Sequence, residues 1–246
     1  MKRLFALILV LLLTLAACAQ DEPNPTDANT PTDAAKPTQA ATEAAQPTEP
    51  TALPTVAPKE EKPDDAFLGN LVEGTYSNSF FGFSCDLDES WTYASNEQLA
   101  SLIGITADVI NDEDLAEAML ESGVVYDMYA TAQDGMVTAS LAIENMGIVY
   151  GNLIDEDTYI KLSIDQLPTA LEAMGLTNIT AESSTVNFAG KERAAVVVHG
   201  MLNEVDFYET IVCCKVDSYM GLITVSSYYE DITDNVLSLF QEYKSK

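Results

Sequence analysis

Apolar and polar residues alternate along Phe81, Phe83, Cys85 and Leu87, with Gly82, Ser84 and Asp86 between them. A period of two places one set of side chains on one face of a strand, so Thr75–Ser90 is expected to be extended and half-buried. Trp91 follows at once. Ser95-Asn96-Glu97-Gln98 is a capping-box pattern, which predicts a short helix with Leu99, Leu102 and Ile103 on one face, ending near Gly104. A second helix is expected from Asn111 to Gly123. Two strands, about 124–131 and 136–144, flank Asp134-Gly135, the strongest short hairpin signal.

The period then changes. Ile160, Ile164, Leu167, Leu171 and Met174 recur at spacings of four and three, which reads as helix over 156–174. Pro168 lacks a backbone N–H and should kink or interrupt it, and Gly175 supplies the stop. From Ser184 to Tyr229 the pattern is an antiparallel meander, with turns expected near Ala189-Gly190, Asn203-Glu204 and Asp217-Ser218. Ala194–Val198 and Met220–Val225 are apolar on both alternating faces. Strands of that kind need cover on both sides, so the expected architecture is a sheet with helices above and below. A closing amphipathic helix, Ile232 to Tyr243, would bury Ile232, Val236, Leu239, Phe240 and Tyr243.

Composition divides the chain. Ala19 to Ala66 holds nine of the ten prolines and eight threonines, with no aromatic residue and no glycine. Such a block has too little apolar surface to offset its ordering entropy, so it is expected to be a disordered tether. At about 3.1 Å per residue it would reach on the order of 100–150 Å. All twelve glycines and seven of the eight phenylalanines come after it, and 67–246 is expected to form one globular domain.

Ahead of the tether stand Lys2 and Arg3, an apolar run from Leu4 to Leu13, and Leu15-Ala16-Ala17-Cys18. A basic start, a short apolar run and small residues make a secretory signal over 1–17; the run is too short to span a bilayer as a mature helix. The ending resembles the lipobox of bacterial lipoproteins. That resemblance implies cleavage before Cys18, acyl chains on Cys18, and residence on the extracytoplasmic face of the cell membrane.

Charge narrows the partners. The chain carries 39 acidic against 11 basic residues, a formal net charge of −28. Nucleic-acid binding needs clustered Lys and Arg, which are missing, and anionic surfaces repel such a chain. Attachment to a bilayer is therefore expected through lipid on Cys18, and the expected partner is an envelope protein.

Candidate chemistry is sparse. Cys85 shares a side with Phe83 and Leu87, and Cys214 is the neighbour able to meet it if Tyr208, Val212 and Val216 point inward. A Cys85–Cys214 disulfide and buried free thiols are the two readings. One histidine, His199, and no Cys-x-x-Cys pair argue against zinc. His199 has no recognisable nucleophile motif around it and reads as a solvent-facing or hydrogen-bonded strand residue. The acidic clusters Asp86/Asp88, Asp112/Glu113/Asp114, Asp155/Glu156/Asp157 and Asp231/Asp234 match no calcium loop. The last three fall at expected helix starts, where carboxylates cap N–H groups. Tyr126, Tyr129, Tyr208, Tyr228 and Tyr229 would serve either as an aromatic platform or as sheet packing. No metal and no cofactor are implied.

Tyr76-Ser77-Asn78-Ser79-Phe80-Phe81-Gly82-Phe83, Trp91, Phe188-Ala189-Gly190 and the closing helix together resemble the Mog1/PsbP-like α/β/α sandwich family, especially its small secreted bacterial lipoproteins. Asp88-Glu89-Ser90 stands where many relatives have a proline before the tryptophan. The resemblance implies an α/β (α+β) fold, a mostly antiparallel sheet sandwiched by helices, in a family that includes adaptors and assembly factors. The resulting expectation is a non-enzymatic binding or assembly lipoprotein. The competing classes are a small peptidoglycan hydrolase using paired carboxylates, and a transporter-associated solute-binding lipoprotein.

Overall fold

A computed structural model describes residues 67–102 and 124–245, so the signal, Cys18, the tether and the expected helix 111–123 lie outside the described residues. Among the described residues, eleven strands form two antiparallel sheets, with few helices. The smaller sheet runs in the order β1 (Asn70–Val72), β2 (Thr75–Asn78), β3 (Phe83–Asp86), β11 (Phe240–Glu242). The larger has seven strands. They are β4 (Trp91–Tyr93), β5 (Val124–Ala132), β6 (Val137–Asn145), β10 (Tyr219–Tyr228), β9 (Val205–Val216), β8 (Lys191–Leu202) and β7 (Leu176–Phe188), in that spatial order.

The expected turns are present. Asp134-Gly135 joins β5 to β6, with Gly135 at φ +72° and Asp134 accepting the Met136 N–H at 2.9 Å. Ala189-Gly190, Asn203-Glu204 and Asp217 all take positive φ between meander strands. The capping box opens α1 (Asn96–Leu102): the Ser95 N–H donates to Gln98 Oε1 at 2.8 Å, and the Gln98 N–H donates to Ser95 Oγ at 3.3 Å. Proline also acts as expected. The helical stretch breaks into α3 (Glu156–Ser163), a 3₁₀ turn (Ile164–Gln166) and α4 (Leu167–Ala173), with Pro168 in the first turn of α4, where no N–H is needed.

The cover of the large sheet differs from the expected helices above and below: most of one side is a second sheet, beside which α5 (Thr233–Leu237) adds the hydrogen bond between the Thr210 and Thr233 hydroxyls at 3.0 Å. One face of β6, β10 and β9 is covered by the smaller sheet: a Cβ on Gly221 would fall 2.9 Å from the Phe81 ring, and Tyr219 stacks on Phe67 with centroids 4.8 Å apart. Only the opposite face meets α3, through Tyr159, whose hydroxyl donates to Glu144 Oε2 at 2.8 Å. An apolar strand pattern demands cover without specifying what supplies it, and a second sheet serves as well as a helix.

The closing helix also needs correction. Only Thr233–Leu237 is helical (α5), and the chain then extends as β11, pairing Phe240 with Cys85 and Glu242 with Phe83. Leu239, placed on the buried stripe by its spacing, is exposed. Extension puts the Phe240 ring 5.7 Å from Phe83 and 5.1 Å from Phe188, contacts far away in sequence that local periodicity does not register. β7 likewise begins at Leu176, not Ser184. It is an edge strand whose middle is exposed on both faces, so no hydrophobic alternation marks it.

A bulge ties the two sheets together. The β5–β6 register shifts between Tyr126 and Met128, and Asp127 at the bulge turns its carboxylate toward the smaller sheet. There it accepts the Gly69 N–H at 2.8 Å, Asn78 Nδ2 at 2.9 Å and the Tyr76 hydroxyl. Burial raises the Asp127 pKa above the ordinary carboxylate value, against the lowering effect of those donors. The folded state therefore holds a proton over a window where the unfolded chain has released it. Relative to an Asp127→Asn variant, the native protein should lose stability as pH rises from about 4 through the raised folded value, then run parallel to it, with a slope of at most about 1.4 kcal/mol per pH unit. Urea melts of the pair from pH 3.5 to 8 measure this. A difference that is flat, or that grows with pH, rules out the burial effect.

Candidate partner-binding surface

One short helix has its polarity reversed. Between β6 and α3 the sequence Gly147-Ile148-Val149-Tyr150-Gly151-Asn152-Leu153 forms α2 (Gly147–Leu153). Its entry is pinned by the Met146 N–H donating to Ser218 O at 2.9 Å and the Gly147 N–H donating to Asn145 Oδ1 at 2.9 Å. Gly147 adopts φ +70°, which redirects the chain out of β6. The residue α2 buries is Gly151; a Cβ there would lie 2.6 Å from Ser218 Cα, so the helix backbone rests on the β9–β10 turn. Its large apolar residues consequently face outward. Ile148 is 82% exposed, Leu153 73%, Val149 67% and Tyr150 51%.

Four adjacent large apolar side chains on one turn-and-a-half of helix form a contiguous patch, unlike scattered single exposures. Asp155, Glu156 and Asp157 follow after Ile154. Asp155 caps α3 by accepting the Thr158 N–H at 2.8 Å, and that contact holds its carboxylate below the usual range. Glu156 turns inward. It accepts Arg193 Nη1 at 2.7 Å and the Lys215 N–H at 2.8 Å, beyond the point where the β8–β9 ladder ends at Ala195 and Val212.

Other candidates from the sequence fall within the described residues. Cys85, Cys213 and Cys214 are buried with free thiols. Cys214 lies in register with Gly221, on the side the smaller sheet covers, and Cys85 faces that interior too, but no bridge joins them. Burial pushes Cys85 and Cys214 up to about 12 and Cys213 well above its ordinary value, so none is a ready nucleophile. His199 Nε2 lies 3.1 Å from Asp206 Oδ1, and its ring stacks on Tyr208 with centroids 4.8 Å apart. It is the hydrogen-bonded strand histidine its surroundings suggest. Asp231 accepts the Thr233 N–H at 3.1 Å, a local capping contact. Among the described residues no group of three or more His, Cys, Asp or Glu is placed to hold a metal, and Asp112–Asp114 lie outside them. Tyr126 and Tyr129 are buried while Tyr229 is exposed, so the tyrosines do not share one platform.

Two buried carboxylates bear on the hydrolase reading. Glu144 and Glu209 lie on the same side of the sheet; Glu209 accepts the Ser226 hydroxyl at 2.6 Å and is in register with Ser226, which pairs with Thr138. Thr138 and Glu144 are six positions apart on β6, about 20 Å along a strand. A glycosidase pair stands at roughly 5–9.5 Å, so these two do not flank one glycosidic bond.

Comparison with known proteins adds little. No protein-family profile matches the chain, and no curated protein matches its sequence. Among solved structures, a crystal structure from Bacteroides thetaiotaomicron VPI-5482 matches at 8% identity with a TM-score of 0.33, covering 66% of this chain and 46% of that one. The chain thus spans less than half the length of that structure. The protein is of a definite class: an acidic α+β domain of two antiparallel sheets carrying an exposed apolar helix.

Proposed function

We propose that this protein is a surface lipoprotein, anchored through acyl chains on Cys18 at the extracytoplasmic face of the membrane, whose domain binds an envelope protein partner without catalysing a reaction. The Mog1/PsbP-like resemblance belongs to this reading, since that family includes adaptors. The observation that carries it is α2, which turns Ile148, Val149, Tyr150 and Leu153 outward. Water-exposed apolar groups in a tight patch gain free energy when a partner covers them, at about 25 cal/mol per Å². The carboxylates just beyond the patch disfavour anionic lipid and suit a partner with a basic rim.

The test is cross-linking in native membranes with three forms of the protein. The native chain should give a specific adduct, an Ile148→Ser/Leu153→Ser double variant should lose it at least tenfold, and Cys18→Ser should leave the membrane fraction. Both α2 side chains are solvent-exposed, so the double variant should melt within about 2 °C of the native protein, as surface changes usually do. An adduct indifferent to the α2 changes rules out this surface.

A further inference from the structure

A second binding surface lies along the β7 edge of the large sheet, remote in sequence from α2, with Thr185 also bordering the cleft lined by Asp155, Glu156 and Asp157. β7 is the terminal strand of the large sheet, β11 that of the small one, and a groove of about 680 Å³ separates them. Leu237 and Phe240 form its buried floor, and Thr185, Val186 and Asn187 form one wall. Asp234 and Glu242, both exposed, stand on the α5 and β11 side.

Along the groove, β7 lacks the devices that protect an edge. It runs thirteen residues, Leu176–Phe188, with one charge (Glu182), no lysine and no proline. Its bulge lies near the start, between Thr177 and Thr180, so the stretch lining the groove is regular. The hairpin geometry shows which backbone groups are on offer. Ala189 and Gly190 have φ +49° and +77°, a two-residue turn with both central residues left-handed, so Phe188 and Lys191 form the hydrogen-bonded pair that closes it. Alternation then turns the N–H and C=O groups of Phe188 and Val186 toward β8, and those of Asn187 and Thr185 outward, along the groove.

We infer that this groove binds an extended segment of a partner protein by strand addition to β7, and that the segment carries basic side chains. Main-chain pairing with Thr185 and Asn187 supplies the affinity, and alternate side chains enter the groove. Asp234 and Glu242 select for Lys or Arg over acidic residues. The domain's own surplus of carboxylates opposes pairing with a second copy of β7 and favours a cationic strand.

The probe is a nine-residue peptide of alternating Lys and Val, titrated by fluorescence anisotropy against the full chain in non-ionic detergent. Saturable binding is expected. It should weaken at least tenfold for an alternating Glu and Val peptide, for a peptide N-methylated on one edge, and for Thr185→Pro, which removes one outward N–H from an edge strand. Hydrogen exchange at Thr185 and Asn187 should slow on binding. Ile148→Ser/Leu153→Ser should bind the peptide normally, which separates this surface from α2. Absence of binding at 1 mM peptide overturns the inference. So does binding that ignores N-methylation, since the attraction is then charge alone, and so does a β7-dependent homodimer. If Thr185→Pro does not fold, the N-methylated peptide and the exchange data on the native chain decide.

Discussion

Phe83→Ala should lower the stability of the domain by about 3–5 kcal/mol, the range for removing a buried aromatic ring. Phe83 sits in β3 of the small sheet and is 1% exposed. Its ring meets Phe188 of β7 edge-on at 5.1 Å, Phe240 of β11 at 5.7 Å and Tyr76 of β2 at 6.1 Å. One side chain thus joins strands from both sheets, and deleting it leaves a cavity that strand backbones cannot collapse to fill. For a domain of this size the loss corresponds to a fall of roughly 10–15 °C in Tm. Phe80→Ala, at a partly buried ring nearby, should cost clearly less. Urea melts of both variants measure this. A loss below about 1.5 kcal/mol for Phe83→Ala would mean that the small sheet does not rest on the large one as described.

The contrast between Phe83 and Phe240 also shows how far the sequence could be read. Phe83 declares itself: its two-residue alternation with Phe81 and Cys85 is a local signal, and all three are buried. Phe240 is equally buried, yet its neighbours Val236 and Leu239 fit a helical period, and the chain extends there because β3 offers an unpaired edge. Turn chemistry was legible for the same local reason as Phe83, since Asp134-Gly135 and Ala189-Gly190 carry their preference in the residues themselves. What covers a sheet is set by long-range packing, so the second sheet was not legible.

The candidate site was the least readable part. Within α2, apolar residues at Ile148, Val149 and Leu153 resemble an ordinary buried stripe, and only the contact with Ser218 across the fold reveals that they face water. Asp127 hid for a related reason. A lone aspartate in a strand carries no signal of the bulge that aims it at Gly69, Tyr76 and Asn78. One sign was available for α2: Gly147 and Gly151 bracket an apolar triplet, a spacing that allows close backbone approach on the glycine side.

That glycine face supports the last expected result. In an exposed helix, Gly151→Ala would stabilise by roughly 0.8–1.0 kcal/mol, because alanine restricts the unfolded chain and favours helix. Here the sign should reverse. The added Cβ would lie 2.6 Å from Ser218 Cα and 2.7 Å from Ser218 Cβ, and the nearer of these is backbone, which cannot swing aside. Either α2 lifts or the Asp217–Ser218 turn shifts, and overpacking of that kind costs about 1–3 kcal/mol, more than the propensity gain. The Met146–Ser218 hydrogen bond at the helix entry would be strained with it. Partner cross-linking should fall as α2 moves, although every apolar side chain of the patch is still present. Ser218→Gly on the Gly151→Ala background removes the 2.7 Å clash and frees the turn, so it should restore part of both stability and cross-linking. Thermal melts and amide exchange across 147–153 read the outcome. If Gly151→Ala instead raises Tm and protects those amides, α2 does not rest on the turn, and the outward placement of Ile148 and Leu153 loses its physical basis.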